Sequence, residues 1–228
     1  MTDRSPFQRN SEEEQPQEMG SSGAGVPPAV FLPVGGSLKV RSRRLPHWEV
    51  ERALYFVTFR LADSLPKHAV QKWDLERKDI LGTASQMGRS PTASERKRIE
   101  QLHVRRVETT LDAGAGECFL RNSEVAQVIV NALKEFDGSR YRLFSWAVMP
   151  KHVHVLFQTI GEIPLAGILH SWKSFSPKAA NRILGRSGQF WQQEYYDHLI
   201  RNADEFERAL TYVKENPSKA GLENWPWV

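Results

Sequence analysis

Residues 138–160 impose the strongest folding constraint in the chain. "GSRYRLFSWAVMP" and "HVHVLFQTI" are both rich in β-branched and aromatic residues, and the turn Met149-Pro150-Lys151 joins them. So short a Pro-centred connection turns the chain back on itself, and the two runs pair as antiparallel strands. In the second run successive side chains alternate faces, so His152 and His154 share one face while Val153 and Val155 take the other. Two imidazoles side by side on a sheet suit a metal site, a proton-transfer pair or simply a polar face.

The rest of the chain supplies partners for that hairpin. "LYFVTFRL" (54–61) reads as a further strand. "NSEVAQVIVNALKEF" (122–136) places Val125, Val128, Ile129, Ala132, Leu133 and Phe136 at helical spacing, the stripe of a core-facing helix. A second helix spans "PLAGILHSWKSFSPKAANRIL" (164–184), bent or broken near Pro177. "SGQFWQQEYYDHLIR" (187–201) is an aromatic, extended stretch containing a short strand. The last helix runs from Ala203 to Glu215, with Asn202 as its cap, Glu205 in the capping-box position and Pro217 as its stop. The order strand, insertion, helix, strand, strand, helix, short strand, helix resembles a split β-α-β, ferredoxin-like arrangement. The expected fold is therefore an α+β, ferredoxin-like sandwich, an antiparallel sheet with helices on one face and the histidine pair on a central strand.

Two segments stand outside that core. Residues 1–40, rich in Ser, Gly, Pro, Glu and Gln, read as a disordered leader before a domain at 41–228. Residues 72–112 are charge-dense and read as a helical insertion with a flexible middle at Gly82–Ser94, either a solvated surface pair or a basic arm that grips DNA.

Charge and composition narrow the function. The net charge of +4 is unevenly spread. Residues 1–38 carry five acids and two bases, whereas the remainder holds 29 bases and 22 acids. A basic globular part with seven tryptophans is compatible with a nucleic-acid partner, through phosphate attraction and base stacking. No apolar stretch is long enough for a membrane span, and the N-terminus lacks the pattern of a secretory signal. The single cysteine, Cys118, cannot form an internal disulfide, which fits a reducing cytoplasm.

The terminal helix offers partners to the histidines. Its apolar stripe is Phe206, Ala209, Leu210 and Val213, and Tyr212 and Asn216 fall on one flank of it, one turn apart. Two imidazoles and an amide oxygen would make an open site for a divalent ion, with positions left for substrate oxygens. A tyrosine beside it could act as nucleophile on a phosphodiester. Tyr195 and Tyr196, next to Asp197 and His198, are equally good nucleophiles on this reasoning. Trp172, Lys173, Phe190, Trp191 and Arg201, with Lys151 at the turn, mix rings and cations as a single-strand or hairpin-binding surface would.

"WAVMPKHVHVLF", "FWQQEYYDHLIRN" and "YVKENPSKAGL…WPW" resemble, in order, the three signature blocks of the single-tyrosine HUH transposases, and more closely the REP-associated tyrosine transposases. The resemblance implies a ferredoxin-like enzyme that cuts single-stranded DNA near hairpins with one Mg²⁺ or Mn²⁺ ion, through a 5′-phosphotyrosine. It implies that His152 and His154 are the HUH pair, Tyr212 the nucleophile and Asn216 the third metal ligand. The partner it implies is hairpin-bearing single-stranded DNA, bound by a monomer or a homodimer. Lys151 departs from the family, which usually has Asn there; the added cation would either hold DNA or weaken the metal. Two other functions stay open: a non-catalytic binder of structured single strands, and a metal-independent phosphoesterase using the histidines as acid and base.

Overall fold

The computed structural model describes residues 39–42, 46–64 and 116–228, together with isolated positions between 75 and 95. Two strands, β1 (Lys39–Ser42) and β2 (Pro46–Glu49), form an antiparallel hairpin ahead of the main sheet. The hairpin begins within the segment read as a leader, at Lys39, and continues into the domain expected from residue 41. The remaining elements are β3 (Leu54–Arg60), α1 (Ser123–Lys134), β4 (Tyr141–Val148), β5 (His152–Thr159), α2 (Leu165–Ile183), β6 (Tyr196–Ile200) and α3 (Ala203–Lys219). The main sheet runs β4-β5-β3-β6, antiparallel throughout. This is the expected ferredoxin-like order, with β5 central.

Strand β3 is buried along its whole length because both of its faces are covered. Tyr55, Val57 and Phe59 pack with Val153, Val155 and Phe157 of β5 and with the buried stripes of α1 and α2. On the opposite face Leu54, Phe56, Leu156 and Ile200 pack with Phe206, Ala209, Tyr212 and Val213 of α3. Two helices thus occupy the expected face, and the third lies across the other. The reason is in the strands: Leu54, Phe56, Leu156 and Ile200 make that second face apolar too, and α3 has the stripe to cover it.

Trp172 is the centre of the α1/α2 side. It is 1% exposed and lies 5.1 Å from the Phe157 ring, 5.2 Å from Tyr141 and 6.2 Å from Phe59. Its Nε1–H donates to the Tyr141 hydroxyl at 2.9 Å, and that hydroxyl donates to the Leu133 carbonyl at 2.8 Å. Trp191 Nε1–H donates to Ser176 Oγ at 2.9 Å, which donates in turn to the Trp172 carbonyl at 2.7 Å. Every polar handle of these rings is paired inside the core. Trp172, expected to stack on DNA, is a core residue; no base can reach a ring this deeply covered.

Both internal prolines are accommodated without a break. Helix α2 runs through Pro177, which lies on a half-exposed side where water can reach the carbonyl left without a donor. Helix α3 passes the expected stop at Pro217 and continues to Lys219. Pro217 is buried, and its ring already has a helical φ, so packing outweighs the one backbone bond it removes. Ala220 N–H then closes on the Asn216 carbonyl at 3.0 Å.

Asn202 caps α3 as expected, its Oδ1 accepting Glu205 N–H at 2.8 Å. Glu205 does not close the reciprocal box. Its carboxylate accepts Arg201 N–H at 2.9 Å and lies 3.4 Å from His198 Nε2. Helix α3 is thereby anchored to β6 at its first turn. Gly116, at φ +86°, rejoins the chain against Asp63: a Cβ there would collide with the Asp63 carbonyl, and Asp63 Oδ2 accepts Glu117 N–H at 3.0 Å. The excursion between them starts and ends at one point, which leaves the sheet uninterrupted. Most of residues 72–112 lies outside the described residues; Gly82, Thr83 and Ala84, expected in its flexible middle, are helical.

Two expectations follow. Trp172→Ala should cost about 3–5 kcal/mol in urea unfolding, and any loss of DNA binding should track loss of folded protein. The second concerns Glu205, whose carboxyl the His198 hydrogen bond, helped by Arg201 N–H, holds down to about 2. A carboxyl depressed in the folded state contributes stability above its unfolded range near pH 4.5, and that contribution fades as pH falls toward 2. Glu205→Gln should therefore lower stability by about 1–2 kcal/mol at pH 7 and by much less at pH 3. An equal deficit at both pH values would refute the anchor.

Candidate active site

Alternation along β3 and β5 puts Thr58, Arg60, His152 and His154 on the face that α3 covers. Across the sheet, Thr58 pairs with His154 and with Tyr196, and Arg60 pairs with His152. His152 and His154 are 6% and 1% exposed. Their Nε2 atoms face each other at 2.9 Å, with the rings edge to face and centroids 4.6 Å apart. Thr58 Oγ1 lies 2.7 Å from His154 Nδ1. When Nδ1–H donates to that hydroxyl, the Nε2 lone pair of His154 is directed at its partner ring.

Helix α3 brings Tyr212 against this pair. Its ring centroid is 5.3 Å from His154 and 5.7 Å from Phe56, both edge to face. Phe56 in turn stacks on His154 at 5.5 Å. Lys219 places its ammonium 5.9 Å from the Tyr212 ring centroid. Asn216 is buried one turn beyond Tyr212. The sequence reading set Tyr212 and Asn216 on a flank of the apolar stripe; both instead lie in the buried face, while Leu210 moves to the half-buried margin.

Burial, joined by the charges of Arg60 and Lys151, drives His152 down to about 3. Burial, with His152 as the neighbouring charge, puts His154 well below its ordinary value. Both rings are neutral at neutral pH, the state in which imidazole binds a metal. Among the described residues no group of three or more His, Cys, Asp or Glu side chains could hold a metal ion. The buried Asn216 amide offers an oxygen donor of another kind on α3. The 2.9 Å between the two Nε2 atoms is the span of an N–H···N hydrogen bond, in which one neutral ring donates to the other.

The other expected residues are dispersed. Lys151 is 4% exposed, beneath the surface beside His152 rather than open at a turn. Lys173 donates to the Gln193 carbonyl at 2.7 Å and lies 5.6 Å from the Tyr195 ring centroid, bracing the stretch before β6. Arg201 is exposed between β6 and α3. Tyr196 meets Phe56 edge on at 6.4 Å, on the histidine side of the sheet. Thr58, Phe56 and Arg60 were missed. Their signal was the period of two in "LYFVTFRL", which sets two polar residues on one face of an otherwise apolar strand.

Part of the chain matches known proteins. Residues 120–216 match the family described as Transposase IS200 like. A protein of Haemophilus influenzae (strain ATCC 51907 / DSM 11121 / KW20 / Rd) named "Putative REP-associated tyrosine transposase" is 28% identical over 94 residues. That alignment covers 35% of this chain and 53% of the relative, so the chain spans about half the length of the curated relative it matches. A solved structure of a REP-associated tyrosine transposase bound to a REP hairpin aligns with 82% of this chain and 81% of its own, at 14% identity and a TM-score of 0.45. Residues 120–216, which hold both histidines, Tyr212 and Asn216, thus carry the sequence pattern of the IS200-like transposases.

Proposed function

We propose that this chain is a metal-dependent endonuclease and strand transferase that cuts single-stranded DNA beside hairpins through a covalent bond to Tyr212. The observation that carries the reading is the facing of the two neutral imidazoles at 2.9 Å, with the ring of Tyr212 set edge to face against His154. His152, His154 and Asn216 would hold the ion. A bound Mg²⁺ or Mn²⁺ would neutralise the phosphodiester oxygens and so lower the barrier to attack.

The protein's own groups do the rest. Thr58 fixes the tautomer of His154, and Phe56 holds both the His154 and Tyr212 rings in place. The Tyr212 oxygen attacks phosphorus and loses its proton to solvent; the bond from phosphorus to the 3′ oxygen breaks, and that oxygen takes a proton from solvent and leaves as a free 3′-hydroxyl. The 5′-phosphotyrosine keeps the energy of the broken bond, so a different 3′-hydroxyl can reverse the reaction and join new ends.

The metal-free phosphoesterase gains one supporting contact, since Thr58 orients His154 as a proton relay would need. The low basicity of both rings argues against it: a base held far below pH 7 is a poor proton acceptor at neutral pH.

Incubation with 3′-labelled hairpin DNA and Mg²⁺ or Mn²⁺, followed by a denaturing gel, tests the proposal. Wild type should give a shifted, labelled band that EDTA abolishes. Tyr212→Phe should lose the band by at least about a thousandfold yet bind the DNA with unchanged affinity. Tyr196→Phe should keep it. A band that survives Tyr212→Phe and disappears with Tyr196→Phe would move the nucleophile to β6; turnover in EDTA would favour the phosphoesterase.

A further inference from the structure

The strand-transfer reading leaves Arg60 without a part. It closes β3 directly opposite His152 and is 6% exposed. Its Nε is buried and has no hydrogen-bond partner among the described residues, and the same is true of His152 Nδ1. Burying a guanidinium with an idle donor is costly and persists only where something repays it. Burial lowers Arg60 to about 10, opposed by the charge of Glu194, so the side chain remains a cation at neutral pH. Lys151 adds a second positive charge next to His152.

Two cations, Arg60 and Lys151, therefore act on His152. Glu194, just before β6, is the acid that acts on Arg60. A planar guanidinium with an unused Nε–H is a receptor for phosphate oxygens, which it binds in a fork that lysine cannot reproduce.

We propose that Arg60 is an anion site next to the histidine pair that takes a phosphodiester oxygen of single-stranded DNA, with Glu194 as its intramolecular stand-in until the phosphate arrives. This rests on the reading of DNA as substrate and gives that substrate a specific contact. The Arg60–Glu194 attraction then has a second role: it competes with weak anions that lack the contacts of a DNA strand.

The test uses the whole protein, dialysed free of metal, as wild type, Arg60→Gln and Glu194→Gln. The first arm measures thermal melting across an inorganic pyrophosphate series. Wild type should gain melting temperature as pyrophosphate rises. Arg60→Gln should weaken the half-saturating concentration by about tenfold or more, the worth of one charged hydrogen bond. Glu194→Gln should strengthen it, because the competitor is gone. A purely structural ion pair predicts that both variants melt lower and respond to pyrophosphate as wild type does, which would overturn the proposal. Should Arg60→Gln fail to fold, the direction of the Glu194→Gln change decides the question.

The second arm follows single-stranded oligonucleotide binding against salt. Loss of one phosphate contact in Arg60→Gln should reduce the slope of log K on log salt by about 0.7. An unchanged slope with an Arg60-dependent pyrophosphate response would refute the DNA assignment. Neither arm needs strand cleavage. An intact anion response without any Tyr212 adduct would therefore sink the strand-transfer reading and leave this site standing.

Discussion

Strand β3 is the constraint from which the rest of the molecule follows. It is hydrogen-bonded to β5 on one edge and β6 on the other, and a helix layer covers each of its faces. Seven residues thus serve two customers in alternation. Tyr55, Val57 and Phe59 hold the α1/α2 core, while Phe56, Thr58 and Arg60 serve the histidine face. Because the side-chain period is two, a register slip of one residue would exchange the sets and put a guanidinium into the apolar core. The fold and the site share this strand, so neither could change register without the other.

Reading the sequence in terms of periods recovered what depends on periods. The alternation in "HVHVLFQT" put the histidines on one face, and one helical turn between Tyr212 and Asn216 put them on one side of α3. What was missed depends on packing between distant segments. Nothing local says that α3 lies on the sheet face opposite α1 and α2, although the apolar even-numbered residues of β3 were a clue. The hairpin β1–β2 was hidden because its residues are dominated by charge and by Pro46, with no apolar alternation.

Trp172 shows how a reading by composition goes astray. A tryptophan beside a lysine looks the same whether it is a stacking platform or a core anchor. The helical stripe Leu165, Ile168, Leu169, Trp172, Ser176 and Ala180 distinguishes the two, and it places the ring inward. Pro217 shows the opposite limit. A rule about local backbone chemistry was overridden by burial of the ring, which keeps Asn216 within the helix instead of at its frayed end.

The last residues of the chain have a consequence for how copies of this protein can meet. After α3 the tail returns to the sheet: Val148 N–H donates to the Trp227 carbonyl at 2.9 Å, and Trp225 Nε1–H donates to the Val148 carbonyl at 2.7 Å. Strand β4 is an outer strand, and its Val148 end is thereby spent on the chain's own terminus. The hairpin strand β2 lies near β6 without joining its ladder. A strand from a second copy that sought to pair with the Val148 end of β4 would first have to displace residues 225–227.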